Sequence, residues 1–222
     1  MATDERMRAT VVSGGGRFAD PWHPFAATSS RLGEVAAEAG FDVTVLDDVP
    51  AAMARPAELL ILDVGRPAEP DAVEDAAVRA ALLAAVERGA GLLAMHATVM
   101  SFPAVPEWEA IVGGVWVDGV SMHPPYGEAL VRITDRAHPI TAPLADFVLQ
   151  DERYTALRID PGVEVLAVHD HEGQAYPLLW TRAGARGRVV VDVLGHDAAS
   201  YDSGPHRVLL ARAMRWAAGI TP

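Results

Sequence analysis

Three histidines in this sequence each follow an apolar segment of the kind that forms a buried strand. His23 comes after ATVVSGGG, His96 after GLLAM and His196 after VVVDVLG. Open α/β sheets bind ligands at the carboxyl ends of their strands, so these side chains are expected to meet in one polar site. An imidazole titrates near neutral pH and can accept or donate a proton. We predict that His96 is a general base and His196 its acid or orienting partner; the alternative for His96 is a structural histidine.

An acidic segment, Asp151-Glu152-Arg153-Tyr154, follows the apolar residues Phe147–Leu149. A carboxylate in a cleft can act as a general acid or base, or can accept hydrogen bonds from sugar hydroxyls. We predict a catalytic role for Glu152 and substrate contacts for Asp151 and Tyr154. The alternative is a solvated turn in which an arginine pairs with an acid.

A glycine-rich loop and nearby polar residues are predicted to line the substrate pocket. Gly14, Gly15 and Gly16 follow the first apolar segment, where glycine lets the backbone approach a ligand or adopt a positive φ. The loop matches neither GxGxxG nor a phosphate-binding P-loop, and a plain turn is the alternative. Trp22, beside His23, is placed to stack on a sugar ring. Two further substrate-binding candidates are His123, in the stiff HPPY segment, and Asp197, directly after His196.

The composition excludes several kinds of chemistry. The sequence contains no cysteine, and all 18 of its basic residues are arginine. Disulfides, thiolate metal sites, cysteine nucleophiles and lysine Schiff bases are therefore ruled out. The His169-Asp-His171 segment is interpreted as a hairpin loop. We assign no metal ligand and no cofactor, although a divalent metal such as zinc, held by some of His23, His96 and His196, stays open.

The charge balance bears on partners and location. The formal net charge is −12, and the arginines are scattered among acidic residues rather than gathered on one face. Binding to nucleic acid or to an anionic membrane is therefore not expected. No run of eighteen apolar residues and no signal-peptide pattern occurs, which predicts a cytoplasmic protein. The expected partner is a small-molecule carbohydrate. We also predict a homodimer, because proteins with a parallel sheet of alternating strands and helices often dimerise through a helix or an edge strand.

Alternating strands and helices must position these side chains. Helices are predicted over Ala26–Ala39, Asp71–Arg88 and His206–Ala218, the second with an apolar stripe of Val73, Ala77, Ala80 and Ala84. Short apolar strands precede or separate them, which indicates βαβ units and a parallel sheet. After about Val115, closely spaced strands predict antiparallel additions. The chain is interpreted as one domain over residues 1–222. The predicted strands are Ala9–Ser13, Phe41–Leu46, Leu59–Val64, Gly91–Met95, Ala129–Ile133, Val163–Val168, Pro177–Thr181 and Val189–Val193.

The order of the motifs resembles the ThuA-like (trehalose utilisation) family. The matching pieces are the SGGG loop with His23, GAGLLAMHAT with His96, HPPYGEALVRITDRAHPIT, DERY, and PLLWTRAGARGRVVVDVLGHD with His196. The resemblance implies a flavodoxin-like three-layer sandwich of the class I glutamine amidotransferase type. Members of that wider group carry a nucleophilic cysteine on the turn after a central strand. Here the comparable turn is Met95-His96-Ala97, so glutaminase activity is excluded.

The resemblance implies a role in the catabolism of trehalose-type disaccharides or their oxidised keto forms. Combined with the histidines and the carboxylate, it predicts an enzyme that uses acid–base chemistry on a carbohydrate. Two alternatives remain open from the sequence: a non-catalytic sugar-binding or regulatory domain, and a metal-dependent hydrolase.

Overall fold

The computed structural model describes residues 6–183 and 187–222. Within them, nine strands form one sheet in the order β2-β1-β3-β4-β11-β10-β9-β6-β7, and β5 and β8 form a separate two-stranded sheet. The strands are β1 (Arg8–Ser13), β2 (Asp42–Leu46), β3 (Leu59–Asp63), β4 (Gly91–Met95), β5 (Gly114–Val115), β6 (Gly127–Ile133), β7 (Phe147–Asp151), β8 (Arg158–Ile159), β9 (Glu164–His171), β10 (Gln174–Ala183) and β11 (Arg188–Asp192).

One half of the large sheet is parallel. Strands β2, β1, β3, β4 and β11 pair side by side in the same direction. Strands β3 and β4 are buried along their whole length, as expected for continuous apolar runs covered on both faces. Because these strands are parallel, their carboxyl ends lie on the same side of the sheet. The residues that follow Ser13, Asp63, Met95 and Asp192 therefore all emerge on that side.

Helices cover both faces of the parallel half. The helices are α1 (Phe25–Glu38), α2 (Val49–Ala54), α3 (Ala72–Glu87), α4 (Trp108–Val112) and α5 (Gly204–Ala217). Helices α1 and α5 contact each other on one face, and α2 and α3 contact each other on the opposite side of β1. This is a three-layer α/β sandwich, as predicted.

The other half of the sheet is antiparallel. Strand β10 pairs antiparallel with both β11 and β9, β9 pairs with β6, and β6 pairs with the edge strand β7. The predicted antiparallel additions are therefore confirmed. Residues Glu172 and Gly173, both with positive φ, form the tight turn between β9 and β10. The predicted hairpin is present, but its loop is shorter than predicted, because His169, Asp170 and His171 are the last residues of β9 and pair with β10.

Helix α3 exists where it was predicted, but the predicted buried face is wrong. Val73 is 82% exposed, and Ala77, Ala80 and Ala84 also face solvent. The buried residues are instead Val78, Ala81, Leu82 and Ala85. So many alanines occur in this helix that several stripes satisfy the helical period, and the bulky Val78 and Leu82 decide which one is buried.

The helix begins as the sequence predicts. The Asp71 carboxylate accepts hydrogen bonds from the backbone N–H groups of Val73 and Glu74 at 3.0 and 3.1 Å, which satisfies donors that the first turn leaves free.

No helix within residues 6–183 and 187–222 combines the length and apolar character needed to cross a bilayer.

Candidate functional site

His96 stands on a sharp turn directly after β4. Its φ is +39°, a backbone conformation that is uncommon for residues other than glycine. The side chain is only 1% exposed, and its Nδ1 donates a hydrogen bond to the Val193 carbonyl at 2.8 Å. That bond leaves Nε2 as the second ring nitrogen, 3.0 Å from the Tyr154 hydroxyl. Burial, followed by the negative charge of Glu152, raises the pKa of Tyr154 well above its ordinary value. This hydroxyl therefore stays protonated and donates a hydrogen bond to Nε2 of His96.

His23 lies in the loop between β1 and α1 and is held by Asp20. The Asp20 carboxylate lies 2.8 and 2.9 Å from Nδ1 of His23, and it also accepts the backbone N–H groups of Trp22 and His23 at 2.9 Å. The other ring nitrogen, Nε2, is buried and has no hydrogen-bond partner among the described residues. Burial and the nearby charge of His96 lower the pKa of His23, against the opposing effect of Asp20.

His196 follows β11 on a turn that a buried carboxylate holds in place. Gly195 has a φ of +108°, which a residue with a Cβ adopts only with strain. The fully buried Asp151 accepts the backbone N–H groups of Gly195 at 2.8 Å and of His196 at 3.1 Å. Asp151 is the last residue of β7, so this carboxylate fixes the loop after β11 to the end of a strand at the far edge of the sheet.

These elements bring the three imidazoles into contact. The ring centroid of His23 lies 5.1 Å from that of His96 and 5.0 Å from that of His196, and the latter two are 5.4 Å apart. One ligand atom from each of these three rings and one carboxylate oxygen of Glu152 lie within 4.8 Å of one another. We call this group, His23, His96, His196 and Glu152, the histidine cluster. Among residues 6–183 and 187–222, it is the group whose donor atoms are placed to hold a metal ion.

Glu152 is the acidic member of the histidine cluster. Its Oε2 lies 3.2 Å from Nδ1 of His196 and 3.5 Å from Nε2 of His96, while Oε1 lies 3.5 Å from Nδ1 of His123. Burial alone would raise the pKa of Glu152, but the close imidazoles of His196 and His96 outweigh burial and hold this pKa well below its usual value. Burial lowers the pKa of His196, and the close carboxylate of Glu152 outweighs it, so that pKa is raised.

The histidine cluster lies at one end of an open cavity of about 400 Å³. Trp22, which is 72% exposed, and Trp116 contribute aromatic walls to it. A second cavity of about 280 Å³ shares Met100 and Trp116 with the first, so the two are neighbours. The residues that line the first cavity are Trp22, His23, Met100, Trp116, His123, Glu152, Tyr154 and His196.

Several residues selected from the sequence line this cavity, and others do not. Among the predicted substrate contacts, Trp22, His23, His123 and Tyr154 are on its wall. His96 lies beneath it, in contact with Tyr154 through their stacked rings.

The glycine loop and two of the acids occupy other positions. A Cβ on Gly14 would stand 2.6 Å from the Phe25 ring, and one on Gly15 would stand 2.6 Å from the Asp47 carbonyl, so both glycines are needed for close packing against the protein itself. Gly16, with a φ of +53°, begins a 3₁₀ turn over Gly16–Phe18. None of the three is on the cavity wall.

Asp151 and Asp197 serve the chain rather than the cavity surface. Asp151 is fully buried, so the predicted substrate contact is wrong and the residue instead positions the chain. Successive side chains of a strand point to opposite faces. Here the side chain of Asp151 points into the protein and that of Glu152 points to the cavity. Asp197 caps the 3₁₀ helix Ala198–Asp202 by accepting the Ala199 N–H at 2.8 Å, and it accepts the Tyr126 hydroxyl at 3.2 Å.

Sequence reasoning did not identify Asp20, Met100 or Trp116 as residues of the site. Asp20 sits three residues before His23 in a proline-flanked loop, and an i, i+3 acid–histidine spacing was the available signal. Met100 and Trp116 reach the cavity from the 3₁₀ helix His96–Met100 and from the segment after β5, which only the tertiary fold brings together.

The fold and the site define an α/β protein with a histidine and carboxylate cluster at the carboxyl edge of a parallel sheet. The family model described as ThuA, trehalose utilisation, matches residues 8–217, and the chain belongs to this family. A carbohydrate-related role follows from that membership. A search of curated protein sequences found no match.

Solved structures with low sequence identity share the fold. A ThuA-like protein from Parabacteroides merdae aligns with a TM-score of 0.80 at 20% identity, covering 97% of this chain and 91% of that chain. A ThuA-like protein from Bacteroides uniformis gives a TM-score of 0.75 at 20% identity, over 98% and 93% of the two chains. A glutamine amidotransferase gives 0.51 at 13% identity, over 96% and 99%. The predicted amidotransferase-like fold is thereby confirmed.

Proposed function

We propose that this protein is an enzyme that transfers a proton at the carbon next to the carbonyl group of an oxidised disaccharide, which results in isomerisation of the keto sugar. The position of Glu152 carries this proposal. Its carboxylate is flanked by the imidazoles of His96, His196 and His123, at a cavity wall that a substrate can reach. A carboxylate with imidazole partners combines an ionised group that can accept a proton with groups that can donate one.

The reaction needs two groups that act on neighbouring atoms. Glu152 takes the proton from the carbon beside the carbonyl, and an imidazole of the cluster, His196 in this proposal, donates a hydrogen bond or proton to the carbonyl oxygen. Protonation of the former carbonyl carbon by Glu152, together with loss of the hydroxyl proton on the first carbon to His196, forms the new carbonyl and completes the isomerisation, with no net oxidation or reduction. General acid–base catalysis of this kind contributes about 10²–10⁴-fold to a rate, and the fixed positions of the groups contribute the remainder.

The shape of the cavity supports a sugar of two rings. Trp22 and Trp116 offer flat apolar faces against which the C–H side of a pyranose ring can pack. The adjoining cavity begins at Met100 and Trp116 and has charged groups at its wall, including the Arg66–Asp118 pair at 2.7 Å. A monosaccharide fills the first cavity alone, whereas a disaccharide places its second ring in the adjoining one.

Solvent deuterium uptake tests the proposal directly. The protein is incubated in D₂O with trehalose oxidised to its keto form, and NMR follows loss of the proton beside the carbonyl. Wild-type protein should exchange this proton, and Glu152→Gln should slow the exchange by about 10²–10⁴-fold. The matched control is Glu128→Gln, which changes an exposed glutamate on β6 and should leave the rate unchanged. Binding of the sugar without exchange by the wild type would overturn the proposal in favour of a binding domain.

A further inference from the structure

We propose that the three imidazoles of His23, His96 and His196 bind one divalent transition-metal ion, with zinc as the representative. The inference deepens the proposed function, on which it rests only for the part that the ion plays in the reaction. The site itself is argued from geometry.

The cluster has the dimensions of a metal site that needs little adjustment. One ligand atom from each histidine and one from Glu152 lie within 4.8 Å of one another. A tetrahedral zinc ion with bonds of about 2.0–2.1 Å to nitrogen places its ligand atoms about 3.3 Å apart. Binding would therefore draw the ligand atoms together by at most about 1.5 Å.

The hydrogen bonds around the cluster are those that orient histidine ligands. Metal-binding histidines usually donate the second ring N–H to a carboxylate or a backbone carbonyl, which fixes the tautomer. Nδ1 of His23 lies against the Asp20 carboxylate at 2.8 Å, and Nδ1 of His96 donates to the Val193 carbonyl at 2.8 Å. Each of these bonds leaves Nε2 facing the cluster: Nε2 of His23 has no partner among the described residues, and Nε2 of His96 would exchange its hydrogen bond from the Tyr154 hydroxyl for the ion.

Two members of the cluster, His23 and His196, each have a buried ring nitrogen without a hydrogen-bond partner among the described residues, and so does His169 outside the cluster. Nε2 of His23 is buried without a hydrogen-bond partner, and buried polar atoms in folded proteins are nearly always paired.

The donor set selects a class of ion. Three imidazoles suit zinc and neighbouring divalent transition metals, whereas magnesium and calcium prefer sites made of oxygen ligands. The carboxylates of Asp20 and Glu152 supply two negative charges beside the imidazoles, which matches the charge of the ion.

Three protein ligands leave a coordination position for a substrate. Catalytic zinc sites have three protein ligands and one position for water or substrate, and the cavity gives a sugar access to this position. When bound, the ion would polarise the carbonyl oxygen of the keto sugar as a Lewis acid. Glu152 keeps its role as the proton acceptor beside it.

A zinc titration of full-length, untagged protein tests the site without any substrate. Chelator-treated protein is titrated with zinc in competition with a chromophoric chelator, and mass spectrometry gives the stoichiometry. Wild type should bind one ion per chain, and each of His23→Ala, His96→Ala and His196→Ala should bind it at least about 100-fold more weakly. Asp20→Asn, which keeps all three ligands but removes the charge behind His23, should weaken binding about 10- to 100-fold.

Two controls make the result specific. His171→Ala removes a histidine of the β9–β10 hairpin, outside the cluster, and should leave zinc affinity unchanged. Thermal unfolding shows which variants are folded, and zinc should raise the melting temperature of the wild type but not of His23→Ala. Equal zinc affinity of wild type and a variant without His23, His96 and His196 overturns the inference, as does wild-type affinity no tighter than millimolar. Because no sugar is present, such a result leaves the deuterium-exchange test unaffected.

Discussion

The buried carboxylate of Asp151 accepts the backbone N–H of His196 across the sheet edge, at 3.1 Å. The same carboxylate accepts the N–H of the adjacent Glu152 at 2.8 Å and the Ser200 hydroxyl at 2.5 Å. One side chain that never reaches the cavity therefore fixes the positions of Glu152 and His196. The geometry of the histidine cluster depends on the antiparallel half of the sheet as much as on the parallel half.

Replacement of Asp151 should be costly for stability. Asp151→Asn replaces one carboxylate oxygen with an NH₂ group. This group cannot accept hydrogen bonds, so buried N–H groups lose their partner. We expect a loss of about 1–3 kcal/mol in the free energy of unfolding, measured by urea denaturation. Asp170→Asn, at a solvent-exposed ion pair with Arg132, should cost less than about 1 kcal/mol. Equal losses in the two variants would contradict the anchoring role of Asp151.

Trp22 should matter for sugar binding and not for folding. Because its side chain is 72% exposed, Trp22→Ala should change the free energy of unfolding by less than about 0.5 kcal/mol. Loss of the aromatic contact should weaken binding of a keto disaccharide by about 3- to 10-fold, as measured by isothermal titration. Val73→Ala, at an equally exposed apolar position on α3, is the control that should change neither quantity. Unchanged sugar affinity in Trp22→Ala would remove this residue from the binding site.

Met100 lies where the two cavities meet and should discriminate sugars by size. Met100→Trp places a bulky ring between the cavities. We expect it to lower kcat/KM for a keto disaccharide by about tenfold or more, and to change kcat/KM for a keto monosaccharide by less than about twofold. Steady-state kinetics with both sugars measures the ratio. A parallel loss for the two sugars would mean that the second cavity takes no part in binding.

The buried pair of His206 and Asp192 should make stability fall as the pH rises above about 6.5. Nε2 of His206 lies 3.1 Å from Asp192, and Nδ1 donates to the Ser200 carbonyl at 3.1 Å. Burial lowers the pKa of His206, but the charge and hydrogen bond of Asp192 outweigh burial, so the pKa is raised above its ordinary value of 6.5.

The sign of the effect follows from this direction. A histidine with a raised pKa in the folded state contributes stability that is fully present below about pH 6.5 and is lost as the pH rises through the folded value. The stability difference between wild type and His206→Gln should therefore shrink from pH 6 to pH 9 in urea titrations. NMR titration of the His206 ring in the wild type provides a second measurement, and a midpoint below 6.5 would contradict the prediction.

The parallel half of the fold is predictable from the sequence because its strands are short continuous apolar runs. Leu59–Asp63 and Gly91–Met95 have all their residues buried, so the pattern leaves little ambiguity. Strand β7 was not predicted, because it lies at the sheet edge and its FVLQD residues alternate between buried and exposed. The buried face of α3 was wrong because alanine marks neither side of a helix.

The histidines of the candidate site could be predicted from their positions after strands, but the contacts that hold them could not. The carbonyl of Val193 that accepts His96 Nδ1 is 97 residues away in the chain. The two carboxylates at positions 151 and 152 are adjacent, and only the pairing of β6 with β7 determines that the first is buried and the second lines the cavity. Such choices depend on tertiary packing and have no local signal.

The measurement that most directly tests the central claim is a double-mutant cycle on proton exchange. Rates of solvent deuterium uptake by the keto disaccharide are compared for Glu152→Gln, His196→Asn and the double variant. If the two residues act as one proton-transfer unit, the double variant should be no more than about twofold slower than the slower single variant. Losses that multiply would show that Glu152 and His196 act independently and would contradict the account.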